Sequence, residues 1–130
     1  PKNVSTAYDV AALALTAFSN PTIRTAVQTP RYTVRVSEPS VVKSVTRWKT
    51  VLHPIKSTDA LLVDDTNGLW VIGGKTGYLT ESSWNFVTEI RDIKNKPLLV
   101  VVFGSSTSAQ VFSDTQRVAE WVWKNYEWGR

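Results

Sequence analysis

The chain has 130 residues, 42% hydrophobic and 20% charged, which suits one globular domain with one modest core and leaves no room for two. Fifteen Lys and Arg against eleven Asp and Glu leave a net charge of +4, too small and too scattered to demand a nucleic-acid partner. The longest apolar run, Leu98 to Phe103, falls far short of the roughly 20 residues of a bilayer-spanning helix. With no Cys, disulfides, thiolate catalysis and the usual Cys-rich zinc sites are excluded, and with a single His no His-based metal site is expected. The chain contains no Met and opens on Pro1-Lys2, which predicts a piece of a longer protein whose signal peptide, if any, lies upstream.

In chain order, Thr6 followed three residues later by Asp9 predicts a capping box. It opens an amphipathic helix whose inner face is Val10, Leu13, Ala14, Ala17 and Phe18, closed by Asn20-Pro21. A second short helix is expected over residues 22 to 28, ending before Pro30, and Tyr32 to Val36 alternates like a strand. Residues 37 to 67 show little periodicity and include Pro39, Pro54 and the turn-forming run Asp64-Asp65-Thr66-Asn67-Gly68, so loops with short strands are expected there. Leu69 to Ile72, the alternating run Trp84, Phe86, Thr88 and Ile90, and Leu98 to Phe103 predict three strands. Asp92 to Lys96 forms the loop between the last two, giving an antiparallel meander. Gly104 ends the sheet. Ser108 or a neighbouring hydroxyl caps a final helix whose stripe is Val111, Thr115, Val118, Val122 and Tyr126, packed on the sheet. Helices, then strands, then a helix indicate an α+β fold.

The chemistry concentrates at Lys75-Thr76-Gly77, directly after the apolar strand from Leu69 to Gly73. A cation, a hydroxyl and a residue without a side chain, in succession on a strand, can hold a peptide laid alongside. The strand edge supplies main-chain bonds, hydroxyl and ammonium meet a carboxylate, and glycine permits close approach. Read alone, the tripeptide also fits a glycine-rich strand end with an exposed lysine.

Its surroundings carry a resemblance. Gly73 to Val87, with Lys75-Thr76-Gly77 inside, resembles the third motif and following strand of the low-molecular-mass penicillin-binding proteins that act as serine D-alanyl-D-alanine carboxypeptidases. Ser5 to Ala11 is similar to the helix start after that family's second motif, and Ser57 to Leu62 is similar to its Asn-Thr-Asn-x-Leu-Leu segment. Leu98 to Gly104 with the Trp-containing last helix is similar to its final strand and helix. The resemblance implies that residues 1–130 are the C-terminal half of the serine β-lactamase and penicillin-binding transpeptidase fold, beginning just after the second motif. The missing N-terminal half of that fold would carry the Ser-x-x-Lys nucleophile and Ser-x-Asn.

The resemblance also implies roles. The Lys75 ammonium would support the active-site hydrogen bonds and attract the substrate carboxylate, and the Thr76 hydroxyl would bind that carboxylate. Gly77 would let the acyl-D-Ala-D-Ala strand pair closely, and the Tyr78 backbone N–H would donate to the oxyanion. The implied partners are peptidoglycan stem peptides ending in D-Ala-D-Ala and β-lactam antibiotics, the implied location is extracytoplasmic, and no cofactor is involved. A non-catalytic wall-binding or complementing fragment and part of a serine β-lactamase are the alternatives. The isolated chain is expected to be inactive.

Three departures from the family stand out: Ile72-Gly73-Gly74 where Asp-Gly-Ile is usual, Leu79 for Thr, and Asp59 for Asn. Ser40-Val41-Val42-Lys43 and Ser83-Trp84-Asn85 match the first two motifs literally, but both stand in the wrong place and are read as coincidences. The six basic residues from Arg31 to Lys56 are read as a solvated face, His53 as a loop residue, Asp64-Asp65 as turn formers and the Trp residues as packing.

Overall fold

Thr6 caps the first helix, α1 (Ala7–Ser19): its hydroxyl oxygen accepts from the Asp9 N–H at 3.1 Å and its O–H donates to the Asp9 carboxylate at 2.8 Å. The carboxylate thus secures the capping side chain itself, a variant of the expected box. Asn20 closes α1 and opens α2 (Pro21–Val27), accepting from the Thr22 and Ile23 N–H groups, while Pro21 removes an N–H that the first turn would leave unpaired. The computed structural model describes residues 4–64, 66 and 68–127, so the expected turn at 64–68 lies partly outside the described residues, at Asp65 and Asn67.

Strands β1 (Arg31–Val42) and β2 (Val45–Lys56) pair antiparallel from Arg31↔Lys56 to Val42↔Val45. This corrects the expectation of loops and short strands after Val36. Lys43 and Ser44 connect the strands with φ of 49° and 60°, the left-handed pair that a two-residue type I′ turn demands. Neither residue carries the Asn-Gly signal of such turns. Pro39 and Pro54 are tolerated because each strand of a two-stranded ribbon is an edge. No described residue of the ribbon is fully buried, and beyond Tyr32 to Val36 no alternation of apolar and polar residues marks it.

The short α3 (Ala60–Val63) leads into a second sheet of β3 (Trp70–Leu79), β4 (Ser83–Arg91) and β5 (Pro97–Ser105), in the expected meander order. Ser82 N–H donates to Leu79 C=O and Ser83 follows at φ 55°, a tight turn with a left-handed closing residue. In the next loop the Asp92 carboxylate accepts from the Lys94 and Lys96 N–H groups at 3.0 and 2.8 Å. Thr107, the hydroxyl next to Ser108, caps α4 (Ser108–Asn125).

Helices cover both faces of this sheet. On one face Leu61, Phe86, Val111 and Phe112 form a cluster, with the two phenylalanines edge to face at 5.1 Å, and Ile90, Val100 and Ala119 form another. The α4 stripe is therefore Val111, Phe112, Thr115 and Ala119. Val118 and Tyr126, expected inside, face solvent. Ala119 is fully buried, and its small side chain lets the helix axis come close to the sheet at that point, which turns Val118 outward. On the other face α1 lays Ala14 and Phe18 over the sheet while Leu13 stays exposed, and Arg24 of α2 binds Glu89 of β4 at 3.1 Å. The architecture is α+β, with antiparallel sheets and a C-terminal helix packed on the larger one.

Candidate functional site

Lys75-Thr76-Gly77 lies inside β3 rather than after its end, paired with Val87, Phe86 and Asn85 of β4. The other long edge of β3 pairs with no strand among the described residues. Alternation puts Gly74, Thr76 and Tyr78 on the Phe86 face, and Lys75 and Gly77 on the face toward α1.

Thr76 does not point into packed hydrocarbon. Its hydroxyl meets the Thr58 hydroxyl at 2.6 Å, and Thr58 stands just before α3. Thr58, Gly74 and Lys75 line a cleft of about 820 Å³ together with Val27 of α2 and Tyr32 and Ile55 of the ribbon base. A shallower hollow of about 190 Å³ lies between Lys75, Gly77, Val10 and Phe103. Lys75 borders both spaces, and its exposed ammonium donates to the Thr76 carbonyl. The exposed Tyr78 ring meets Trp84 at a tilt of 44°, with the ring centres 4.9 Å apart.

The three glycines of this strand separate by cause. At Gly73, φ is 155° beside a register shift, and a Cβ would stand 2.8 Å from the Val27 side chain. At Gly74 a Cβ would stand 2.7 Å from the Asp59 carboxylate and 2.8 Å from the Phe86 ring. Both are required by packing, which accounts for Gly74 where the resembled family has Ile; Gly73 matches that family's own glycine. At Gly77 a Cβ would meet nothing within 4 Å and the backbone has no left-handed φ. The fold does not require that glycine; its open flank faces outward.

Asp59 caps α3 by accepting from Leu62 N–H at 3.1 Å, while its own N–H donates to the Ser57 hydroxyl. Its second carboxylate oxygen is buried without a hydrogen-bond partner, and burial pushes the Asp59 carboxyl above the usual range against the bonds from the α3 backbone. Asp64 is held below that range by the Thr66 hydroxyl and then the Thr66 N–H, the geometry of an Asx turn.

The literal motif matches come apart. Ser40 lies on β1 and Lys43 in the hairpin turn, so no helical turn brings them together. Asn85 commits its amide N–H₂ to Ser82 and Ser83 and its oxygen to the Gly104 N–H, bracing the β3–β4 turn against β5. His53 is on β2, not in a loop, and its Nε2 pairs with Glu38 across the ribbon at 2.9 Å. Trp123 packs in the core beside Ala119 whereas Trp121 is exposed, the opposite sides expected of them. Among the described residues no group of three or more His, Asp or Glu side chains could hold a metal ion, and no helix is long and apolar enough to cross a membrane.

What sequence reasoning missed is Thr58, whose bond to Thr76 spans 18 residues. Its signal was the Ser57-Thr58-Asp59 segment itself, two hydroxyls and a cap ahead of Leu61-Leu62. No family model matches the chain, and it has no significant match among curated proteins or solved structures.

Proposed function

We propose that this chain supplies the substrate-binding strand of a serine-type D-alanyl-D-alanine carboxypeptidase that removes the terminal D-Ala of peptidoglycan stem peptides through an acyl-enzyme and is acylated by β-lactams. The observation that carries the reading is Gly77: a glycine the fold does not need, on an unpaired strand edge, between the Thr76 hydroxyl and the Tyr78 N–H. An extended peptide laid on that edge approaches closely only where no Cβ intervenes.

Thr58 and Thr76 hold two hydroxyl protons and spend one on each other, leaving one to donate to a peptide carboxylate. Lys75 adds a charge-assisted bond once its ammonium leaves the Thr76 carbonyl. The exposed apolar side chains of Val4, Tyr8, Leu13 and Leu15 on and before α1 support a second element of this reading, that a helical N-terminal half bearing the nucleophilic serine docks there. In the finer reading of the fold, this α+β unit is the C-terminal half of the transpeptidase fold.

The test is a nuclear magnetic resonance titration of the chain with an N-acyl-D-Ala-D-Ala dipeptide. We expect shifts centred on the Thr76, Gly77 and Tyr78 amides, with Kd on the order of a millimolar because half of the cleft is missing. Thr76→Val and Lys75→Ala weaken them, and the L-Ala-L-Ala peptide produces none. Indifference to the stereochemistry of the peptide overturns the proposal, as does turnover by the chain that Ser40→Ala abolishes.

A further inference from the structure

The ribbon is the part of the molecule that the proposed function does not use. Twelve residues per strand at roughly 3.3 Å each project it by roughly 40 Å. An isolated two-stranded ribbon is marginally stable in water, so a surface that covers its far end would stabilise it.

The composition of that end is specific. Val41, Val42, Val45 and Trp48 are 68%, 59%, 54% and 70% exposed. They sit within four rungs of the turn, on both faces: Val42 and Val45 are cross-strand partners on one, and Val41 and Trp48 share the other. From Ser40 to Thr50 the only charged residues are Lys43, Arg47 and Lys49, all positive. Glu38, the one acid of the ribbon, stands opposite Lys49 on the fifth rung, where its carboxylate is engaged with His53.

From this juxtaposition we infer that the ribbon tip docks on an anionic lipid bilayer. An apolar tip flanked by cations matches a surface that is anionic at the headgroups and apolar just beneath. Trp48 stands three residues behind the Val42–Val45 pair, roughly 10 Å back from it, which is the depth that interfacial apolar groups reach. Indole is favoured at that depth, and long basic side chains keep their charge among the phosphates while their stems lie in the apolar layer. A second copy of the chain would bring three cations against three cations, which disfavours self-association through this end. The inference does not depend on the reading of Lys75 to Tyr78.

The test is co-sedimentation of the chain with vesicles of phosphatidylcholine alone or mixed equally with phosphatidylglycerol. We expect binding to the mixed vesicles only, weakened by high salt. Arg47→Glu with Lys49→Glu lowers it by at least about thirtyfold, from roughly fivefold per basic residue near the surface. Lys94→Glu with Lys124→Glu, an equal change in net charge away from the ribbon, leaves it within about threefold of wild type if the charges act locally. Trp48→Phe removes the fluorescence quenching caused by brominated lipid.

Circular dichroism checks that each variant folds. If Trp48→Phe fails that check, Val42→Ser with Val45→Ser replaces it, with lost sedimentation as the expected result. Absence of binding to the mixed vesicles overturns the inference. So does equal loss in the two charge-matched pairs, or a dimer that the ribbon substitutions dissolve.

Discussion

The two sheets of this protein use the same hydrogen-bond pattern and are held together by different forces. In the β3-β4-β5 sheet, Phe86, Ile90 and Val100 are buried between helices, so the strands are fixed by the area they remove from water. In the β1-β2 ribbon, register rests on cross-strand pairs worth roughly 0.2–1 kcal/mol each and on one tight turn. A strand can therefore be specified by burial or by its turn, and only the first leaves a hydrophobic pattern along its whole length.

The largest effect that tests this contrast is Phe86→Ala, which empties the space against Phe112 and should cost about 3–5 kcal/mol in denaturant unfolding. A loss below about 1 kcal/mol would erase the distinction between the sheets. Next comes Gly74→Ala, expected to cost about 1–3 kcal/mol because its Cβ would collide with Asp59 and Phe86. The paired change Gly77→Ala should leave unfolding within about 0.5 kcal/mol of wild type while weakening peptide binding.

Asp59→Asn sharpens the contrast through pH. The folded state holds the Asp59 proton more tightly than the unfolded chain does, so its contribution to stability is complete in acid and declines as pH rises above the unfolded carboxyl value of about 4. Thermal unfolding should show the Asn variant gaining on wild type toward neutral pH and losing that advantage in acid; a difference independent of pH would refute it. The smallest effect belongs to the ribbon. Lys43→Asn with Ser44→Gly should slow amide exchange along β1 and β2 while shifting global stability by less than about 1 kcal/mol.

The same contrast explains what the sequence made legible. The caps at Thr6 and beside Ser108, the Asp92 to Lys96 loop and the three-strand meander were readable because each rests on local hydrogen-bond chemistry or on one buried face. Of the ribbon only Tyr32 to Val36 was; the rest was not, because solvent reaches both its faces and its turn forces Lys43 and Ser44 into conformations usually left to glycine and asparagine. The α4 stripe was half right. The series Val111, Thr115, Val118 and Val111, Thr115, Ala119 are both helical, and tertiary packing at Ala119 chose between them. At the candidate site, Lys75 to Tyr78 could be picked out by residue type, whereas the Thr58 partnership and the crowding of Asp59 over Gly74 come from long-range packing that spacing does not encode.

One wall of the large cleft is α2, a helix with no buried residue of its own. Two attachments to the sheet hold it: Val27 seated over Gly73, and the Arg24 guanidinium forked onto Glu89 at 3.1 and 3.4 Å while also bonding the Phe18 carbonyl. The fork is only partly shielded from solvent, so dissolved ions compete with it directly. The wall beside Lys75 is accordingly anchored by a contact that salt weakens and a contact that it does not, the ion pair at Arg24 and the apolar seat at Val27.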